Sequence, residues 1–281
     1  MKTTSQVILS RDLDGLLLLA KEAAARAAAI HKKRFGEIHT ISVKSSRTDL
    51  VSEVDVEAEK AIIDTITRER PNDAILAEEG GSRSGDSGLR WVIDPLDGTV
   101  NYLYRYPGFT VSIGLEVDGR KTLGVVHDSY HNQVYSSLIG RSALCDEKPI
   151  SVSRENNLAQ ALLATGFIYL SEQRQKQAEI LVKVIPRVRD IRRSGSASLD
   201  LCLLASGRID CFFEAGLSAW DVAAGGVIAR AAGARVVTLP SKKGPSPILV
   251  AAPPGLFDSL IDLLEQCGVV GRNDPTMEEW K

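Results

Sequence analysis

Hydrophobic and polar positions along the chain switch between a helical period and a strand period, and the switches mark out its elements. Residues from Asp12 to Phe35 are rich in Ala, Leu, Lys and Glu and end at Gly36, the residue best suited to a left-handed cap, which predicts a helix. Lys44 to Asp55 reads as a polar loop. A second helix is predicted from Val56 to Arg70, where Ala58, Ala61, Ile62, Thr65 and Ile66 recur at helical spacing and Pro71 supplies the stop. Ala74-Ile75-Leu76 reads as a buried strand, the Gly- and Ser-rich stretch Gly80 to Gly88 as a flexible surface loop, and Arg90 to Ile93 as a strand running straight into Asp94-Pro95-Leu96-Asp97-Gly98-Thr99.

From Phe109 onward the pattern becomes strand and turn. Thr110 to Val117, the Asp118-Gly119 turn, Leu123 to His127 and Gln133 to Leu138 predict an antiparallel meander. The second half alternates: helices over Gln173 to Ile185, Ala197 to Ser206 and Asp221 to Ala232, strands at Asp210 to Phe213 and near Val236 and Leu249, and a last helix near Gly255 to Cys267. That alternation is an α/β signature. With no repeat and no low-complexity linker, the halves, residues 1–153 and 154–281, are expected to pack as one unit. The tail from Arg272 to Lys281 carries no interpretable signal.

Composition narrows the class. A chain of 281 residues with 44% hydrophobic and 25% charged residues is globular, and 34 basic against 36 acidic residues give a net charge of -2. No bulk field therefore recruits nucleic acid or an anionic membrane. Neither a secretory leader nor a membrane span is expected, and Cys145, Cys202, Cys211 and Cys267, without a C-x-x-C pair, suit thiols of a reducing, cytoplasmic compartment.

The chemistry concentrates at two strand ends. Glu78-Glu79 follows one apolar strand, and Asp94 and Asp97 follow the next, three apart across a proline. Two carboxylates about 4 Å apart repel by roughly 4 kcal/mol at an effective dielectric near 20, so clustering several calls for a cation. An all-oxygen set of carboxylates and the Leu96 carbonyl suits Mg²⁺ or Mn²⁺ and gives Zn²⁺ little to prefer. The bland alternative is ordinary turn chemistry with a solvated acidic edge. Strand ends are, however, where ligand crevices of α/β sheets lie. Gly98 permits close backbone approach, and Thr99 fits either a helix N-cap or the start of a helix whose free amides face a phosphate.

Lys44-Ser45-Ser46, Asp49-Leu50-Val51 and Asp55, then Glu78-Glu79-Gly80, Asp94 to Thr99, Asn101-Tyr102 and the late Trp220-Asp221-Val222-Ala223-Ala224-Gly225 together resemble the inositol monophosphatase family over residues 40–235. The resemblance implies a layered αβαβα sandwich, Mg²⁺-dependent and lithium-sensitive hydrolysis of a small polyol or sugar phosphate, foremost inositol 1-phosphate, and a homodimer. It implies that Glu78, Asp94 and the Leu96 carbonyl hold one metal and Asp94, Asp97 and Asp221 a second. Glu78 would also face a third through water, Asp55 with Thr99 would activate the attacking water, and Glu79 would support from behind. The amides of Gly98 and Thr99 would grip phosphate, and Gly195, Ser196, Ala197 and Glu214 would contact the hydroxyl-bearing ring. Lys44 would anchor a loop covering the site.

Blander roles stand beside several of these. Asp221 fits an N-cap, Glu214 a solvated rim, and Gly195-Ser196-Ala197 a simple helix start. Histidinol phosphate, fructose 1,6-bisphosphate and a nucleotide bisphosphate are alternative substrates. Haloacid-dehalogenase phosphatases carry D-x-D-G-T, one residue shorter between the aspartates than here. A non-catalytic regulatory descendant should have lost a ligand or the Asp55 and Thr99 pair, and this chain keeps them all.

Overall fold

The computed structural model describes residues 12–37, 41–43, 50–241, 246–271 and 278–280. Lys44, and with it the loop anchor, lies outside them. Helix α1, Leu13–Arg34, starts where the Asp12 side chain accepts from Gly15 N at 2.9 Å and ends in Lys32, Lys33 and Arg34, whose charges complement the helix dipole. Its stripe of Ala20, Ala23, Ala24, Ala27 and Ala28 is buried, letting it pack closely on α2, Glu53–Glu69, through Ala58, Ile62 and Ile66. Helix α2 begins three residues before the sequence spacing suggested, because Ser52 and Asp55 form a capping box. Strands β1, Ile41–Val43, and β2, Leu50–Ser52, make a small antiparallel pair, so the end of the expected polar loop is strand.

Strands β3 (Ala74–Ala77), β4 (Leu89–Asp97), β5 (Thr110–Val117), β6 (Arg120–Asp128), β7 (Gln133–Leu138), β8 (Leu144–Cys145) and β9 (Lys148–Pro149) form a seven-stranded sheet in sequence order, with only β3 and β4 parallel. Between β4 and β5 lies the short helix α3, Thr99–Leu103. The expected meander is β5, β6 and β7. The Gly-rich stretch after β3 is tethered: Glu59 accepts from Glu79 N at 2.7 Å and Gly81 N at 2.9 Å, and Arg83 exchanges backbone bonds with Ile75.

The second sheet contains β10 (Leu162–Thr165), β11 (Asp190–Arg192), β12 (Cys211–Ala215), β13 (Arg235–Leu239), β14 (Ile248–Ala252) and β15 (Glu278–Glu279), in the order β11-β10-β12-β14-β13-β15. Helices α4 (Ser171–Val184) and α7 (Pro254–Gln266) cover its outer face; α5 (Ala197–Ala205) and α6 (Ala219–Ala231) fill the layer between the sheets. The layers therefore run α1/α2, sheet, α5/α6, sheet, α4/α7, the expected αβαβα sandwich. Two glycines allow the central contact: a Cβ on Gly114 or Gly124 would overlap Ala223 or Ala224 of α6.

The uninterpreted tail has a structural role. Trp280 is 9% exposed, donates its indole N–H to Thr238 at 3.1 Å, lies beneath Lys121 of β6 and occupies space that a side chain on Gly226 would fill. It thereby ties β13, α6 and the start of β6 in the first sheet together.

Candidate active site

The DPLD segment continues as strand instead of turning. Asp94 pairs with Ser112 and Asp97 with Thr110, so three steps along β4 match two along β5, a bulge at the proline that cannot donate to the ladder. In a regular strand residues three apart face opposite sides; the extra residue restores the face, and both aspartates line the same cleft of about 390 Å³. Within the bulge Asp94 accepts from Leu96 N at 3.0 Å. Glu78, just past β3, donates its backbone N–H to Ile93 O at 3.2 Å and so stands beside Asp94.

Asp221 enters from the opposite layer. Helix α6 starts two residues before the predicted boundary, making Asp221 its third residue, and the carboxylate accepts from Ser218 N at 2.6 Å in a second capping box. Asp55 repeats the device on α2. Its Oδ2 accepts from Ser52 N at 2.8 Å and Ser52 Oγ at 2.5 Å, while Oδ1 takes the Thr99 hydroxyl at 2.9 Å. Asp55 is fully buried, and Thr99, which lines the cleft, joins it to that space.

The electrostatics are those of crowded acids. Burial first, then the charges of Glu78, Asp97 and Asp221, push the Asp94 carboxyl well above the usual carboxylate range. Burial also raises Asp97, against hydrogen bonds from Ser198 and Ser196: the Ser196 hydroxyl donates to Asp97 Oδ2 at 2.7 Å and Ser198 N at 2.8 Å. Burial raises Glu214 strongly, helped by Asp200 and Asp221. Among the described residues no three His, Cys, Asp or Glu side chains already close on a common point. The structure supplies the donor set, hard oxygens carrying excess negative charge, and that chemistry fits divalent Mg²⁺ or Mn²⁺.

The remaining predicted residues fall as follows. Gly98 adopts φ 96°, its missing side chain leaving room against Gly108 O, and caps α3; Gly195, Ser196, Ala197 and Glu214 all line the cleft. Ser196 is both the N-cap of α5 and a donor to Asp97, so the helix start and the site share one residue. Glu79 does not line the cleft; its amide is held by Glu59. Further residues complete the site, some of them within Gly166 to Gln175 and Arg192 to Ala197, the segments whose sequence suggests that they shape the pocket. Asn101 donates to Gly108 O at 2.6 Å and Ser194 O at 2.7 Å, joining α3 to the Gly195 turn. Gly166 to Leu170, Gly216 to Ser218 and Arg193 add the wall contributed by the second sheet.

Beneath the Gly195 turn, Asp200 is 2% exposed and its Oδ1 has no hydrogen-bond partner among the described residues. Burial pushes its carboxyl up to about 7 against a hydrogen bond from Ser194, with Asp97 adding to the rise and Arg193 opposing it. A folded value above the unfolded one means the native state holds the extra proton, so stability falls as pH rises from about 4 through 7. The total loss is about 4 kcal/mol. Asp200→Asn is expected to raise Tm at pH 8, with the advantage shrinking as pH falls toward 4.5. Calorimetry of both proteins across that range checks it, and a pH-independent difference would contradict it.

Residues 12–268 match the profile of the Inositol monophosphatase family. The chain is 43% identical over 268 residues to the inositol-1-monophosphatase of Mycobacterium bovis, covering 88% of this chain and 92% of that protein. It is 35% identical over 260 residues to a protein of Pasteurella multocida named Nus factor SuhB, covering 91% and 97%. Its fold superposes on the crystal structure of extragenic suppressor protein suhB from Bartonella henselae with a TM-score of 0.83 at 32% identity, covering 90% of this chain and 99% of that one. Bulged acidic strand, two capping-box aspartates, layered fold and sequence thus agree, and the chain belongs to the inositol monophosphatase family as a phosphatase.

Proposed function

We propose that this protein is a Mg²⁺-dependent phosphomonoesterase that hydrolyses inositol 1-phosphate by direct attack of water, without a phosphoenzyme. The observation that carries this reading is the arrival of Glu78, Asp94, Asp97 and Asp221 in one cleft beside the Gly98–Thr99 turn. Glu78, Asp94 and the Leu96 carbonyl would hold one cation; Asp94, Asp97 and Asp221 a second, with Asp94 shared; Glu78 would face a third, weaker one through water, with Mn²⁺ able to substitute. Bound Mg²⁺ supplies acidity to the attacking water and charge to the leaving oxygen.

The chain's own groups orient and move the proton. Thr99 Oγ1 lies 2.9 Å from Asp55 Oδ1 and 3.0 Å from Leu96 O. Its single hydrogen goes to the charged acceptor, and its lone pairs receive a hydrogen bond from water in the cleft. The water's proton then passes through the hydroxyl to Asp55, whose Oδ2 is fixed by the two Ser52 donors. The amides of Gly98 and Thr99 hold the phosphate, while Gly195, Ser196, Ala197 and Glu214 contact the polyol. Glu79, its amide held by Glu59, supports the metal edge from outside. Lithium would inhibit by taking the place of the weakest cation.

Comparing kcat/KM for inositol 1-phosphate, histidinol phosphate and fructose 1,6-bisphosphate tests the substrate. Inositol 1-phosphate is expected to lead by about tenfold or more, the size of one well-made charged contact. A lead for either of the others would replace the substrate and leave the phosphatase class standing.

A further inference from the structure

Arg193 stands on the cleft wall built by the second sheet and is exposed there. Its guanidinium lies across Gly195, where an added Cβ would overlap Nη1. Glu214 lies likewise across Gly166, where a Cβ would overlap its carboxylate. Both glycines line the cleft, so two bare backbone positions let a cation and an acid settle against the wall. Among the described residues neither side chain spends a hydrogen bond on the protein, though their charges act on one another. Buried Asp200 adds a further acid acting on both, so the single positive charge of Arg193 faces two carboxyl groups.

We infer that Arg193 determines specificity: with Glu214 it reads neighbouring hydroxyls of a neutral polyol carrying one phosphate, and it does not accept a second phosphate. The inference rests on the phosphomonoesterase reading above. A guanidinium only donates hydrogen bonds and a carboxylate accepts them, whereas each hydroxyl of a vicinal diol does both, so the pair is complementary to a diol. A second phosphate would bring about two negative charges to a buried wall that already disfavours the charge of Glu214 and Asp200, and as a dianion it has no proton to donate to Glu214.

The test compares kcat/KM for inositol 1-phosphate, fructose 1,6-bisphosphate and p-nitrophenyl phosphate, which has no diol, in the full chain with Mg²⁺. Arg193→Met is expected to lower the ratio of inositol 1-phosphate to p-nitrophenyl phosphate by about 10- to 100-fold. Arg193→Lys, which keeps charge but loses the planar fork, should recover part of that ratio. Glu214→Gln should narrow the preference of the wild type for inositol 1-phosphate over the bisphosphate. An unchanged ratio in Arg193→Met, or a wild type that prefers the bisphosphate, overturns the assignment of Arg193 while p-nitrophenyl phosphate turnover keeps the phosphatase reading intact. A wild type inert toward all three overturns both.

Discussion

Asp94→Asn is expected to lower kcat for phosphate release by about 10³-fold or more while leaving the protein folded. Asp94 is the carboxylate shared by both proposed cation positions, and an amide donates where a cation needs an anionic acceptor. The same residue is a burden to the fold. It is 2% exposed, and burial together with Glu78, Asp97 and Asp221 works against its charge. In chelator-treated protein the Asn variant should therefore melt no lower than wild type, the usual trade of stability against a working site. Steady-state kinetics and calorimetry on one preparation check both halves. Turnover within a few-fold of wild type would remove Asp94 from the centre of the account.

The second large effect is expected at Thr99→Ala. Thr99 links the cleft to the buried Asp55 carboxylate, its hydroxyl 2.9 Å from Asp55 Oδ1. Without the hydroxyl the proton path ends, and kcat should fall by about 10²- to 10³-fold. KM should move far less, because the amides assigned to phosphate are backbone. Asp55 keeps its Ser52 donors at 2.8 and 2.5 Å, so the α2 capping box and Tm should survive. A loss seen mainly in KM would make Thr99 a binding group instead.

The legibility of this site follows the range of the interactions that build it. Asp94, Asp97, Gly98 and Thr99 fall within six consecutive residues, and their composition alone suggests oxygen ligands near an anion-binding turn. The bulge that brings both aspartates to one face was not readable, because it depends on register with Ser112 and Thr110 of the neighbouring strand. Asp55 and Asp221 were reachable only through family resemblance; read locally, each is an acid near a helix start. The structure adds that both occupy the third helical position, where the capping box fixes carboxylate direction. Asp200 and Glu59 gain their roles from segments far away in sequence, and no local pattern distinguishes them from ordinary polar residues; Arg193 and Asn101 lie in segments the sequence singles out, but their partners come from elsewhere in the chain. Trp280 is similar, an isolated aromatic whose cavity is created by the absent side chain of Gly226. Helix starts were misplaced by two or three residues at α2 and α6 because the capping serine precedes the apolar periodicity.

The most direct test is inorganic phosphate release from inositol 1-phosphate by purified protein, first stripped with a chelator and then titrated with Mg²⁺. Turnover is expected to be absent in the stripped protein and to return with Mg²⁺. Undiminished phosphate release after chelation would contradict the assignment of Glu78, Asp94, Asp97 and Asp221 to a metal centre.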